Sequence, residues 1–302
     1  GSTAGGEGIE LAYNIAQQNF IKHGNNRVIL CTDGDFNVGV SSDAELVRLI
    51  EQKRKTGIYL TVLGYGMGNY KDSKMEQLAN KGNGNYAYID DLQEAKKTLV
   101  SEFGGTLFTI AKDVKIQVEF NPAKVKSYRL IGYENRKLNK EDFNDDKKDA
   151  GEIGSGHSVT ALYEIVPVGV GNDDKLTDDL KYQTNTIKQE ATNSNELMTV
   201  KFRYKKPDSE TSTYLDVPVL ESQGVKLEKS SDDFRFSAAV AMFGMLLRES
   251  EHKGDATYDK TYALAKQSLG DDKEGYRKDF LEMIQKAKSL ATPVTERKRI
   301  RD

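Results

Sequence analysis

The stretch Arg27–Val38, RVILCTDGDFNV, passes from a run of apolar residues straight into Thr32-Asp33-Gly34-Asp35. A continuous apolar run marks a parallel strand covered on both faces. Ligands of open α/β sheets bind just beyond the carboxyl ends of such strands. Asp33 therefore stands where these folds place function. A second strand, Ile58–Leu63, follows the turn Lys55-Thr56-Gly57.

Periodicity arranges the flanking segments around these strands. Ile9, Ala12, Tyr13, Ala16 and Phe20 share one face of a helix predicted over 4–22. Ser42 and Glu45 form a capping box for a helix carrying Leu46, Leu49 and Ile50 that stops at Gly57. The glycine-rich LGYGMGNYKD then leads to a short helix over 73–81, a third strand at Tyr86–Ile89, and a helix started by Asp91 and Glu94. That last helix bears Leu92, Ala95, Leu99 and Phe103. Alternation of helix and strand predicts an α/β unit with a parallel sheet over residues 1–105. Past Gly104-Gly105 the period changes to two, in Val114-Ile116-Val118-Phe120, Val159-Ala161-Tyr163-Ile165, Met198-Val200-Phe202-Tyr204 and Leu215-Val217-Val219, with a weaker strand at Tyr128-Leu130. These predict a β-rich, sandwich-like domain at 106–225. Helical spacing returns from Ser231, at Thr257–Leu269 and at Tyr276–Leu290, giving a helical region at 226–302.

Composition narrows the function. The formal net charge is −3, so no basic excess points to nucleic acid. No apolar run approaches the roughly 20 residues of a membrane-spanning helix. A single cysteine, Cys31, excludes an internal disulfide, and with three histidines it excludes a Cys/His zinc site. Within its apolar strand, Cys31 reads as a small buried hydrophobe. Gly64-Tyr65-Gly66-Met67-Gly68 carries Asn69 where the dinucleotide fingerprint needs glycine, so it reads as a tight turn. Asp142-Phe143-Asn144-Asp145-Asp146 lacks the glycine and the final glutamate of a calcium loop and reads as a mobile, charged loop; Asn172-Asp173-Asp174 fails likewise. His157-Ser158 has no nucleophile elbow and no orienting third group. The basic run Arg297–Arg301 reads as a solvated tail.

Residues 1–104 resemble the second half of a von Willebrand factor type A domain. The match is carried by Gly1-Ser2-Thr3 with Gly5-Gly6, by Thr32-Asp33-Gly34, by Gly64-Tyr65-Gly66 and by Gly82-Asn83-Gly84-Asn85-Tyr86, in family order and spacing. The resemblance implies that Thr3 and Asp33 are ligands of a metal-ion-dependent adhesion site for Mg2+ or Mn2+. Oxygen ligands and retained water suit such an ion. The family's Asp-x-Ser-x-Ser loop has no counterpart here, so the resemblance implies a chain that starts inside the domain. The fragment alone is then expected to bind metal weakly or not at all. In the family sheet the strand at 27–31 lies beside the first strand, so here it becomes an apolar edge open to strand addition, by a second copy or another chain. The downstream order is similar to bacterial von Willebrand A proteins with a C-terminal domain of unknown function, many of them envelope lipoproteins.

Together these readings describe a non-enzymatic, envelope-associated binding module. A divalent cation in the intact protein meets an acidic residue of a protein partner, and any membrane attachment is a lipid anchor outside this chain. The alternative is a structural or assembly scaffold whose binding is independent of metal.

Overall fold

Parallel strands with matched ends set the architecture of the first part of the chain. The computed structural model describes residues 5–22, 24–35, 43–67, 70–133, 137–148, 150–170, 182 and 186–291. Thr3, Ser42, Asn172-Asp173-Asp174 and the basic run at 297–301 lie outside them. Helix α1 (Gly5–Gln18) precedes β1 (Asn26–Thr32), α2 (Asp43–Arg54), β2 (Ile58–Gly64), α3 (Asp72–Lys81) and β3 (Tyr86–Tyr88). The three strands form one sheet in the order β1-β2-β3, both pairings parallel, with Thr32 opposite Gly64 and Gly64 opposite Tyr88. The central strand β2 is buried on both faces, as its unbroken apolar sequence requires.

One face of this sheet builds the core. Val28, Ile58, Leu60 and Val62 pack with Ile9 and Tyr13 of α1, Leu46 and Ile50 of α2, and Met75, Leu78 and Ala79 of α3. The helical spacing read from the sequence thus identifies the inward residues of α1 and α2. Phe20 is the exception: it lies beyond the end of α1 and is 44% exposed. On the other face β1 is open. Ile29 is 42% exposed and Cys31 is exposed, which corrects the expectation of a buried thiol. The reason is position: among the described residues β1 is the end strand of the sheet, with a neighbouring strand on one side and not on both as β2 has.

The helix opened by Asp91 also departs from expectation. Asp91 does cap it, its carboxylate accepting the Glu94 N–H at 2.8 Å. The segment then divides into α4 (Leu92–Lys96), a π turn at Lys97–Ser101 and α5 (Phe103–Leu107). Leu92 is 85% exposed, and Leu99 and Phe103 are also exposed. An extra residue in the π turn rotates the helix face, so a periodicity counted at 3.6 across it fails.

Beyond α5 the chain forms β4 (Thr109–Phe120), β5 (Val125–Ile131), β6 (Gly151–Gly154), β7 (Leu162–Pro167), the short helix α6 (Gln189–Asn193), β8 (Glu196–Lys205) and β9 (Ser212–Leu220). They make a sheet ordered β6-β4-β8-β9 and a ribbon of β5 with β7. Helices α7 (Asp232–Leu247), α8 (Tyr258–Lys266) and α9 (Tyr276–Ala291) end the described chain. Two compact units result, one from 1–118, 138–159 and 200–217, the other from 119–137, 160–199 and 218–302. In the second, Ala239, Phe243, Ala265, Leu281 and Ile284 form the helical core. Arg277 ties it together, lying 4.8 Å over the Phe236 ring and donating to the Ser268 carbonyl at 3.0 Å.

The charged segment 139–148 is fixed in place, contrary to its reading as a mobile loop. Phe143 is buried, and Asp142 accepts the Asn139 N–H at the start of a 3-10 turn. From the sheet, Lys115 donates to the Asp145 carbonyl, while Lys205 donates to the Asp146 carbonyl at 2.7 Å and to the Asp113 carboxylate at 2.8 Å. Both lysines are buried, whereas Ile116 is 54% exposed. The strand at 114–120 was read correctly, but one of its polar positions is the covered one. Asp113 sits at positive φ where the β4–β6 register slips, which aims its carboxylate at Lys205. Burial opposes the Lys205 charge, but Asp113 outweighs it and raises the lysine above its ordinary range. The Ser212 hydroxyl, joined by Arg203, holds Asp146 below the usual carboxylate range.

Removing one partner from a buried pair strands the other charge. Asp113→Asn is expected to cost about 3 kcal/mol, whereas the double variant Asp113→Asn with Lys205→Met, which removes both charges together, should cost about 1 kcal/mol or less. Urea unfolding at neutral pH measures both. The ammonium carries a raised pKa, so the Asp113→Asn deficit holds through neutral pH and fades only as pH rises through that value. Equal costs for the two variants would refute the arrangement.

Candidate functional site

Because all three strands run the same way, their carboxyl ends coincide. Just past the last rung, the Tyr65 N–H donates to the Thr32 carbonyl at 2.9 Å and the Ile89 N–H to the Gly64 carbonyl at 2.8 Å. Asp33 emerges there with an exposed side chain. Its turn is closed by its own groups: the Gly34 N–H donates to Thr32 Oγ1 at 3.0 Å, and the Asp35 N–H to Asp33 Oδ1 at 3.1 Å. Gly34 has φ +83°, and a Cβ placed on it would lie 2.1 Å from Met75 Cε and 3.2 Å from Lys71 Cβ. Both the backbone angle and the close packing of α3 favour glycine at this position.

The loop after β2 lines the other side of this turn. A Cβ on Gly66, itself at φ +96°, would lie 3.6 Å from Asp33 Cβ. The Gly66 carbonyl accepts the Tyr88 hydroxyl at 2.7 Å. Tyr88 in turn packs edge-on against Tyr70, with ring centroids 4.8 Å apart. The turn expected from the glycine-rich sequence is therefore present, and β3 anchors it. Tyr65 is raised above its ordinary pKa, by burial first and then by the neighbouring Cys31.

A hydrogen-bonded chain of phenols supports the same end of the sheet. Tyr86 donates to Asp72 Oδ1 at 2.5 Å, which leaves its oxygen to accept from Tyr70. Burial, then the bonds to Asp72 and Tyr70, push the Tyr86 phenol far above its ordinary value. The chain links the first residue of α3 to β3 and fixes the start of the helix that carries Met75, with Lys71 just before it, beside Gly34.

Of the residues read from the sequence as metal ligands, Asp33 is at the carboxyl end of the sheet, and Thr3 lies outside the described residues. Among the described residues, no group of three or more His, Cys, Asp or Glu gathers that could hold a metal ion. Asp33 offers a carboxylate, the kind of oxygen donor that a hard divalent cation takes. His157 is exposed in the turn after β6. Sequence reasoning did not single out Lys71 or Tyr88, and it named Tyr86 only as the end of the Gly82-Asn83-Gly84-Asn85-Tyr86 run and the start of a strand. They reach the site through strand register and helix packing, and only the tyrosine-rich run Tyr86-Ala87-Tyr88 hinted at them.

The three-stranded parallel sheet with its helices defines an α/β protein, and its β-rich and helical continuation identifies the group to which it belongs. Residues 105–290 match the family described as the C-terminal region of the uncharacterized protein YfbK, and the chain belongs to that family. Over 296 residues it is 42% identical to the uncharacterized protein YfbK of Escherichia coli (strain K12), covering 98% of this chain and 50% of that protein. The chain thus spans about half the length of the curated relative it matches. It is also similar to a solved structure titled von Willebrand factor type A from Catenulispora acidiphila, with a TM-score of 0.40 and 14% identity, over 94% of this chain and 63% of that chain.

Replacing Tyr86 by Phe deletes two hydrogen bonds and is expected to cost about 1–2 kcal/mol in urea unfolding. In an alkaline ultraviolet titration the buried Tyr13 should stay protonated well past the ordinary tyrosine value of about 10, and so should Tyr86. The Tyr86 phenol should be missing from the variant. Because the folded pKa is raised, this stabilisation is full below the unfolded value and declines as pH rises above it.

Proposed function

We propose that the chain is part of a non-enzymatic protein-binding module of the bacterial cell envelope. In the intact protein, Asp33 and Thr3, with an Asp-x-Ser-x-Ser loop supplied from upstream, hold Mg2+ or Mn2+. A carboxylate of a protein partner completes the shell. One observation carries this reading: an exposed carboxylate at the carboxyl end of a parallel strand, with Gly66 of the neighbouring loop against it. The envelope assignment, with a lipid anchor outside this chain, rests on resemblance to bacterial von Willebrand A lipoproteins.

One observation favours a second reading, a metal-independent scaffold. The Asp33 turn already satisfies itself through the Asp35 and Gly34 N–H groups. Its shape therefore needs no cation, and partner binding by shape alone is consistent with it.

The edge of β1 belongs to the same proposal. With Ile29 and Cys31 exposed on an end strand, a further strand, from a second copy or another chain, covers residues 27–31. Hydrogen exchange in the assembled protein should show protected amides along both edges of β1. Fast exchange at 27–31 in a particle of monomeric mass would sink that part.

Calorimetric titration of Mg2+ and Mn2+ tests the metal reading. The comparison needs this chain, a polypeptide extended upstream to include the Asp-x-Ser-x-Ser loop, and the extended form carrying Asp33→Ala. Binding is expected in the extended wild type, with a loss of about tenfold or more in the variant, as for removal of groups that hold a metal. Unchanged affinity in Asp33→Ala, or silence in all three, would transfer the weight to the scaffold.

A further inference from the structure

The sheet β6-β4-β8-β9 has one covered face and one open face. Lys115 of β4, Arg203 and Lys205 of β8 and Ser212 of β9 all reach Asp145 or Asp146, so the segment 139–148 lies over the face they share. Successive side chains of a strand point to opposite faces. Ile116 and Val118 of β4, Phe202 and Tyr204 of β8, and Leu215 and Val217 of β9 therefore share the other face, all within the first compact unit. The rings of Phe202 and Tyr204 meet there, with centroids 5.5 Å apart. None of these residues carries a charge, yet none is buried: Ile116 is 54%, Leu215 41% and Val217 53% exposed. A scattered exposed apolar residue is ordinary. Neighbouring strands that together present an uncharged, bulky face are one layer of a packing that needs a second.

We propose that this face is the inner surface of a two-layer packing, and that the second layer is a β-sheet with an apolar face of its own. That sheet comes from the same polypeptide, from a region beyond these 302 residues that corresponds to the unmatched half of the relative. The composition is that of a permanent contact. Transient interfaces are about as polar as ordinary surface, whereas a face without charge resembles a domain core cut in half. The polypeptide to build the layer is present in the Escherichia coli relative, since 98% of this chain accounts for 50% of that protein. A layer tethered in the same polypeptide meets the face at high effective concentration, which favours it over a second copy. The strand chemistry favours a stacked sheet, about 10 Å away, over a strand added alongside. Among the described residues β9 ends the sheet, and it carries Pro218, which has no N–H to donate to a further strand. The proposal goes beyond the reading of Asp33 and uses none of its residues.

The test compares thiol reactivity in the 302-residue chain and in a polypeptide extended to include that region. Native cysteines, Cys31 among them, are first replaced by Ser. Val217→Cys then probes the apolar face, and Ile116→Cys repeats the measurement on a second strand. Asp216→Cys, exposed on the opposite face of β9, is the control. Reaction with iodoacetamide is followed by mass spectrometry, and urea unfolding reports that each variant is folded. Should Val217→Cys not fold, Ile116→Cys decides. In the 302-residue chain the introduced thiols are expected to react at comparable rates. In the extended polypeptide Val217→Cys and Ile116→Cys should slow by roughly a hundredfold or more, as for groups exposed only by local opening, while Asp216→Cys is unchanged. Equal rates at all three positions in the extended polypeptide overturn the proposal. So does protection that appears in the 302-residue chain alone and grows with its concentration, which assigns the face to a second copy.

Discussion

The alignment of three parallel carboxyl ends is the constraint on which the rest of the α/β part depends. Thr32, Gly64 and Tyr88 share the last rung, so the turns after β1 and β2 are forced into contact. Both-face burial of β2 enforces this register. A slip by one residue would carry Leu60 and Val62 out of the core they share with Met75 and Leu78. The geometry around Asp33 is thus determined by apolar residues along the strands, and the polar residues at the tip inherit it.

Elements were legible where one periodicity ran unbroken. Residues Ile9, Tyr13, Leu46 and Ile50 were identified as inward-facing from spacing alone, and they are buried. The failures have one physical origin: local pattern cannot report what covers a face. Cys31 resembles any residue of a buried strand, yet it lies on an end strand. Leu92 and Leu99 keep a helical spacing that the π turn at Lys97–Ser101 rotates away from a common face. Lys115 is a polar residue in an alternating strand, but the segment at 139–148 supplies a main-chain carbonyl above it. That segment is rich in charge and reads as solvated. It becomes ordered because lysines at positions 115 and 205, distant in sequence, reach its carbonyls.

The candidate site divides along the same line. Asp33 and the glycines at 34 and 66 were visible because a turn at a strand end demands particular residue types. Their neighbours were not. Tyr88 touches Gly66 only because β3 pairs with β2 in one register. Lys71 approaches Gly34 only because α3 packs with Met75 inward.

Carboxylates in this protein separate by what they already bind, and that difference distinguishes support from recognition. Asp113 accepts a buried lysine and a main-chain N–H, and Asp146 accepts Arg203 and Ser212. Such groups have spent their acceptor capacity within the fold, and binding anything else would cost the bonds they hold. Asp72 is likewise engaged by Tyr86. Asp33 accepts one bond, from the Asp35 N–H of its own turn, and its side chain is exposed. An exposed carboxylate on a turn bonded to both neighbouring strands is not needed by the core. Among the described residues, the interactions that hold the sheet together thus do not draw on the outer oxygen of Asp33.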